Sequence, residues 1–117
     1  MTDKDTQIKK TGKTSEAEND ENKYDGYIPL EHTFTDRFAD EEVTVKHHFK
    51  KPNRPQISRA QKGINKDAMK AYNTFLTDII HPDEKTKLAE NIKKYPGVSA
   101  TFGNAVMSAV GVGELGN

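Results

Sequence analysis

In the stretch NKDAMKAYNTFLTDIIHP, residues 65–82, the apolar residues recur at helical spacing. Ala68, Met69, Tyr72, Phe75, Leu76, Ile79 and Ile80 fall on one side of a helix and leave polar residues on the other. Asn65 is placed to cap the start of this helix. His81-Pro82 ends it, because proline disfavours helical backbone in the residue before it. An apolar stripe this wide has to be covered, and the flanking sequence is where the cover must come from.

Downstream, Pro82 opens a second helix with Asp83 and Glu84 at the positive end of its dipole and Lys93 and Lys94 at the negative end. Its expected buried face is Leu88, Ala89, Ile92 and Tyr95. Tyr95-Pro96-Gly97 breaks the chain again. A last helix then runs from about Val98 to Val110, with Val98, Phe102, Ala105, Val106, Ala109 and Val110 on one side. No residue from 95 to 113 is charged, although a helix at the surface normally carries charge on its outer face. Two readings follow. Either this helix is central to the core, or its small neutral side, Ser99, Thr101, Gly103, Asn104 and Ser108, meets a partner or a second copy of the chain.

Upstream, Pro55 suits the first turn of a helix, with Ile57, Ala60 and Ile64 facing inward and Gly63 ending it. The Asn53–Gln56 spacing resembles a capping box, but that would make Arg54 helical just before a proline, so the start is set at Pro55. Earlier still, Leu30–Phe38 and Val43–Phe49 alternate as strands, joined by ADEE (39–42). Val43, Val45, His47 and Phe49 share one face of the second strand. The fold class is therefore mainly α: a small N-terminal β-hairpin followed by a compact bundle of about four short helices. Order is expected over 24–112. The leader, 1–23, has three apolar residues against eleven charged ones and is expected to be disordered. Residues 113–117 read as a flexible tail.

Of the 117 residues, 32% are apolar and 31% charged, which allows one modest core. There is no cysteine, so disulfides and thiolate metal sites are excluded. The charged N-terminus does not resemble a signal peptide, and no run approaches the roughly 20 apolar residues of a membrane span. A soluble, cytoplasmic chain with no membrane partner is expected. The net charge of zero hides a split. Residues 1–50 carry 8 Lys/Arg against 12 Asp/Glu, and residues 51–117 carry 10 against 6. The basic excess concentrates in Lys50, Lys51, Arg54, Arg59, Lys62 and Lys66, a candidate patch for nucleic acid. Only Phe49 accompanies it as an aromatic, so nucleic acid is the less favoured partner. His32, His47, His48 and His81 are too few and too scattered for zinc, although His32 and His47 could approach across the hairpin. His47 and His48 point to opposite strand faces, and a structural role is expected for each. No nucleophile–base arrangement, cofactor motif or metal-ligand spacing is present, and the expectation is a non-enzyme.

The order of elements resembles a known family. A strand ending in FKKP (49–52) leads to RPQISRAQK (54–62), then AMKAYNTFLTDIIHP (68–82), the acidic-start DEKTKLAENIKKYP (83–96) and the uncharged VSATFGNAVMSAVG (98–111). This layout, over about residues 30–112, is similar to the tail assembly chaperones of tailed bacteriophages. The charged leader departs from that pattern. The resemblance implies a non-structural helper, in the cytoplasm of an infected bacterium, that binds the helical tape-measure protein and helps recruit tail-tube subunits. It also implies products of two lengths, with GVGELGN (111–117) ending the shorter. Two other readings stand beside it: a nucleic-acid-binding regulator using residues 46–70, and a phage-encoded inhibitor of a host protein.

Overall fold

The computed structural model describes residues 23–113. The predicted leader and tail thus lie almost wholly outside the described residues. Strands β1 (Tyr27–Asp36) and β2 (Glu41–Lys50) pair antiparallel over their full lengths, Tyr27 opposite Lys50 and Asp36 opposite Glu41. Four helices follow: α1 (Arg54–Ile64), α2 (Ala68–Ile79), α3 (Lys85–Lys94) and α4 (Gly97–Ala109), with a 3₁₀ turn at Pro82–Glu84 before α3. Helix dominates, and the hairpin is longer than the alternation alone suggested.

The turn is Arg37–Asp40 rather than ADEE, and Asp36 is the reason. One carboxylate oxygen of Asp36 accepts from the Phe38 and Ala39 amides at 2.9 and 3.1 Å, and Asp40 takes φ 56°, a left-handed conformation that aspartate tolerates. Phe38, expected in the first strand, is therefore carried out onto the turn.

Three helix starts also differ from expectation. The helix expected to open at Pro82 begins as α3 at Lys85, because Pro82–Glu84 form the 3₁₀ turn. The capping box does form. Asn53 accepts from the Gln56 amide and Gln56 from the Asn53 amide, both at 2.9 Å, so α1 begins at Arg54 with Pro55 in its first turn. Two satisfied donors outweigh the proline's bias against a helical Arg54. The cap of α2 is Asp67, not Asn65: its carboxylate accepts from the Lys70 amide at 3.1 Å, while Asn65 closes α1. Ala68 and Met69 consequently lie at an exposed helix start. At the far end Ile80 has left the helix. It stays buried and bridges to Phe49, and the His81 amide donates to the His48 carbonyl at 2.9 Å. That short segment joins β2 to the helices.

The core is built from Val45 and Phe49 of β2, Ala60, Phe75, Leu76, Ile79, Ile80, Leu88, and Val98, Phe102, Val106 and Met107 of α4. Each large side chain withdrawn from water contributes on the order of 2 kcal/mol. On α3 the predicted Ala89 faces solvent, and Asn91 is turned inward toward His47. Helix α4 contacts α2, α3 and β1, which accounts for its lack of charge over most of its circumference. It ends in a Schellman arrangement. Gly111 takes φ 91°, and the amides of Gly111 and Val112 return to the Ser108 and Met107 carbonyls at 3.0 and 2.9 Å.

Candidate functional site

A large hollow lies where the hairpin turn meets the α3–α4 corner. It has a volume of about 720 Å³, and Phe34, Phe38, Tyr95, Pro96, Val98 and Thr101 supply much of its lining. Its floor is fixed by aromatic packing and one strong polar contact. Phe34 meets Tyr95 edge to face at 5.0 Å, and the Tyr95 hydroxyl donates to Asp36 at 2.8 Å. That bond, with the Ala39 amide next, holds the Asp36 carboxyl below its usual range and pushes the Tyr95 phenol up. Phe38 stands fully exposed (104%) on the turn that Asp36 pins. Arg37 and Lys94 also line the hollow, and neither makes an ion pair among the described residues.

The partner-facing residues expected on α4 are divided by the structure. Ser99 is completely buried. Its hydroxyl reaches the Pro96 carbonyl at 3.1 Å and the Met69 sulfur at 3.4 Å. Gly103 is buried against α2, where a Cβ would be driven into the Tyr72 ring. Neither is available to a partner, because α2 already occupies that side of the helix. Conversely Ala109, expected on the apolar stripe, is exposed, and Met107 takes an inward place. Thr101, Asn104 and Ser108 are exposed and form a single stripe. Thr101 lines the hollow. Asn104 accepts from the Tyr72 hydroxyl at 3.0 Å, so it also serves the α2–α4 contact.

The six basic residues are all exposed. Lys50 and Lys51 border one hollow beside Ile28 and Val106, whereas Arg59 and Lys66 border another between α1 and α2. Arg59 is paired with Asp78 at 3.2 Å. Arg54 and Lys62 line neither of these hollows.

The main cluster of titratable side chains gathers on Glu84. Its carboxylate accepts from the His48 amide at 2.9 Å, from His48 Nδ1 at 2.7 Å and from His47 Nδ1 at 3.0 Å. His47 and His48 do leave opposite strand faces, yet one carboxylate reaches both, an arrangement that their spacing did not reveal. The other nitrogen of His47, Nε2, accepts from Asn91 Nδ2 at 2.9 Å. Burial lowers the His47 pKa even though Glu84 pulls it upward. For Glu84, burial pushes up, but the His48 amide and the two imidazoles outweigh it and hold the carboxyl below its usual value. Tyr24 stacks on His48 with ring centres 3.5 Å apart, and His81 accepts from the Asp83 amide through Nδ1 and donates through Nε2 to the Lys23 carbonyl. His32 lies opposite Val45 rather than His47 and stacks on Phe34. Among the described residues no group of histidine and acidic side chains is arranged to hold a metal ion, and no helix is long and apolar enough to cross a membrane.

Among solved structures, the uncharacterised protein rbstp2171 from Bacillus stearothermophilus shares this fold. Its TM-score is 0.64 at 20% identity, over 86% of this chain and 97% of that one. No curated protein matches the sequence. The family model described as a domain of unknown function, DUF6848, matches residues 21–117. The chain belongs to that family.

Proposed function

We propose that the chain is a non-catalytic tail assembly chaperone that binds the tape-measure protein in the cytoplasm of an infected bacterium and assists assembly of the tail tube. One observation carries the reading: a phenylalanine held fully in solvent at the mouth of an open apolar hollow. A chaperone for an amphipathic rod needs such a surface, because the rod's apolar stripe must be covered until the tube encloses it. In this reading the Glu84 cluster holds the fold together and serves no reaction. The test is co-expression with the tape-measure protein encoded in the same genome. The chain should raise the soluble fraction of that protein several-fold and co-elute with it in gel filtration. A tape-measure protein equally soluble without the chain, and eluting apart from it, would overturn the proposal.

The exposed lysines and arginines favour a second reading, nucleic-acid binding. Four of the six are split between separate hollows and Arg54 and Lys62 line neither, so only weak, non-specific binding to random-sequence DNA is expected near physiological salt. Submicromolar affinity with a steep salt slope would put this reading first.

A further inference from the structure

We infer that the hollow between the hairpin turn and the α3–α4 corner docks an amphipathic partner helix whose apolar stripe is flanked by carboxylates. The inference rests on the chaperone reading only for the identity of the partner protein.

Its geometry begins with Phe38. The Asp36 side chain fixes the turn through two amides, so the phenyl is presented on a braced support. Tyr95, Pro96, Val98 and Phe34 line the same hollow. An apolar side chain entering there meets an apolar lining. The lining carries two cations, Arg37 and Lys94, against one acid, Asp36. Asp36 is spent on the turn amides and on the Tyr95 hydroxyl, which leaves its carboxylate little capacity for a partner. Lys94 acts on the Asp36 carboxylate from a distance and lies over the Tyr95 ring at 5.5 Å, while Arg37 makes no ion pair among the described residues. The acids that follow in the hairpin, Asp40, Glu41 and Glu42, do not line the hollow, although Glu41 acts on the Tyr95 phenol from outside it. A ligand with carboxylates beside its apolar side chains therefore finds an excess of cations, and one with lysines is less well matched.

The shape favours a helix over an extended peptide. The hollow has Thr101 in its lining, and Asn104 and Ser108 continue the exposed stripe from there, a track of about 10 Å made of small or uncharged side chains. A second helix can lie along it and insert its apolar residues beside Phe38 and Tyr95.

The experiment uses the full chain and three synthetic 20-residue peptides, followed by fluorescence anisotropy. One carries a leucine stripe flanked by glutamates, the second has lysines in place of the glutamates, and the third is the first with a central proline that breaks the helix. The glutamate peptide should bind at least tenfold more tightly than either of the others. Phe38→Ala and Arg37→Glu should each weaken it about tenfold while leaving the melting temperature unchanged, since both side chains are exposed. Arg37→Glu combined with Lys94→Glu should transfer the preference to the lysine peptide. Equal binding of the proline peptide overturns the helix assignment, and binding indifferent to Phe38→Ala and Arg37→Glu overturns the site. The two proposals fail separately. If Phe38→Ala still solubilises the tape-measure protein as wild type does, the site is wrong and the chaperone reading stands. Selective peptide binding without any effect on the tape-measure protein sinks the chaperone reading and keeps the site.

Discussion

At the residue scale, Glu84 joins β2 to the start of α3 through three hydrogen bonds, two of them to neighbouring imidazoles. Glu84→Gln keeps the volume but leaves one acceptor oxygen and sets an amide donor against a donating ring nitrogen. It should cost about 1–3 kcal/mol, read from urea unfolding at neutral pH. The same cluster sets an acid response. His47 is faced by Glu84, His48, Lys87 and Asn91, and burial lowers its pKa; the Glu84 carboxyl is lowered as well. Both groups take up protons more readily in the unfolded chain, so stability rises with pH wherever either titrates. The contribution of His47 is whole above the ordinary histidine value of about 6.5 and is lost as the pH falls from there through its depressed folded value. That of Glu84 is lost lower, from about 4.3 downward. Melting temperature should therefore decline as pH falls from 7 to 5 and fall further below that. Followed by NMR, the His47 ring should titrate below an ordinary histidine, and lower still in Glu84→Gln, where its upward pull is gone. A midpoint at or above the ordinary value would show that His47 is better solvated than the structure has it.

At the scale of elements, α4 is a core helix with a narrow free stripe, and substitutions should separate the two sides. Gly103→Ala forces a methyl into the Tyr72 ring, and should cost about 1–3 kcal/mol by overpacking. Ser108→Arg, on the exposed stripe, should change stability by less than about 0.5 kcal/mol. Thermal denaturation of the two variants decides the matter: equal losses would mean that α4 has no free side. This division was only half legible in the sequence. The absence of charge over residues 95–113 correctly marked α4 as unusual, but periodicity ranks residues by hydropathy and cannot tell that a glycine is buried because a tyrosine lies on it. The four helices and the inward face of β2 were legible, since their apolar spacing is strong. Their ends were not. The capping box at Asn53 was visible and set aside because of Pro55, and the Asp36 turn depends on a side chain folding back on its own backbone. The hollow was missed for a related reason. Phe38 reads as one more strand residue until the turn is placed, and Tyr95 reads as core until Asp36 is seen to hold its hydroxyl. The cap gives a direct check: Asn53→Ala should cost about 1 kcal/mol, a loss that Asn65→Ala should not match.

At the scale of the whole molecule, the question is whether the hairpin and the helices form one cooperative unit. A two-stranded sheet is marginal in water by itself. Here its inner face reaches the helices through Val45 and Phe49, and its edge is tied by the Phe49–Ile80 bridge, the His81 amide and the Glu84 carboxylate. Phe49 takes part in both the packing and the bridge. It is 1% exposed, and its ring lies 5.6 Å from that of Phe102 in α4. Phe49→Ala removes a buried aromatic that packs against Phe102 in the core, so the expected cost is about 3–5 kcal/mol. The distribution of that cost is the informative part. If hairpin and helices open together, amide exchange should accelerate by the same factor at Val45 in β2, at Leu76 in α2 and at Val106 in α4. Were the hairpin a separate appendage, exchange would rise in β1 and β2 alone while α2 and α4 kept their protection. The second pattern would also undo the docking geometry, because Phe38 and Tyr95 line one hollow only while the hairpin stays on the helices. Cooperative opening is the outcome the packing predicts, since the residue that anchors the strand is the same one that seals the core.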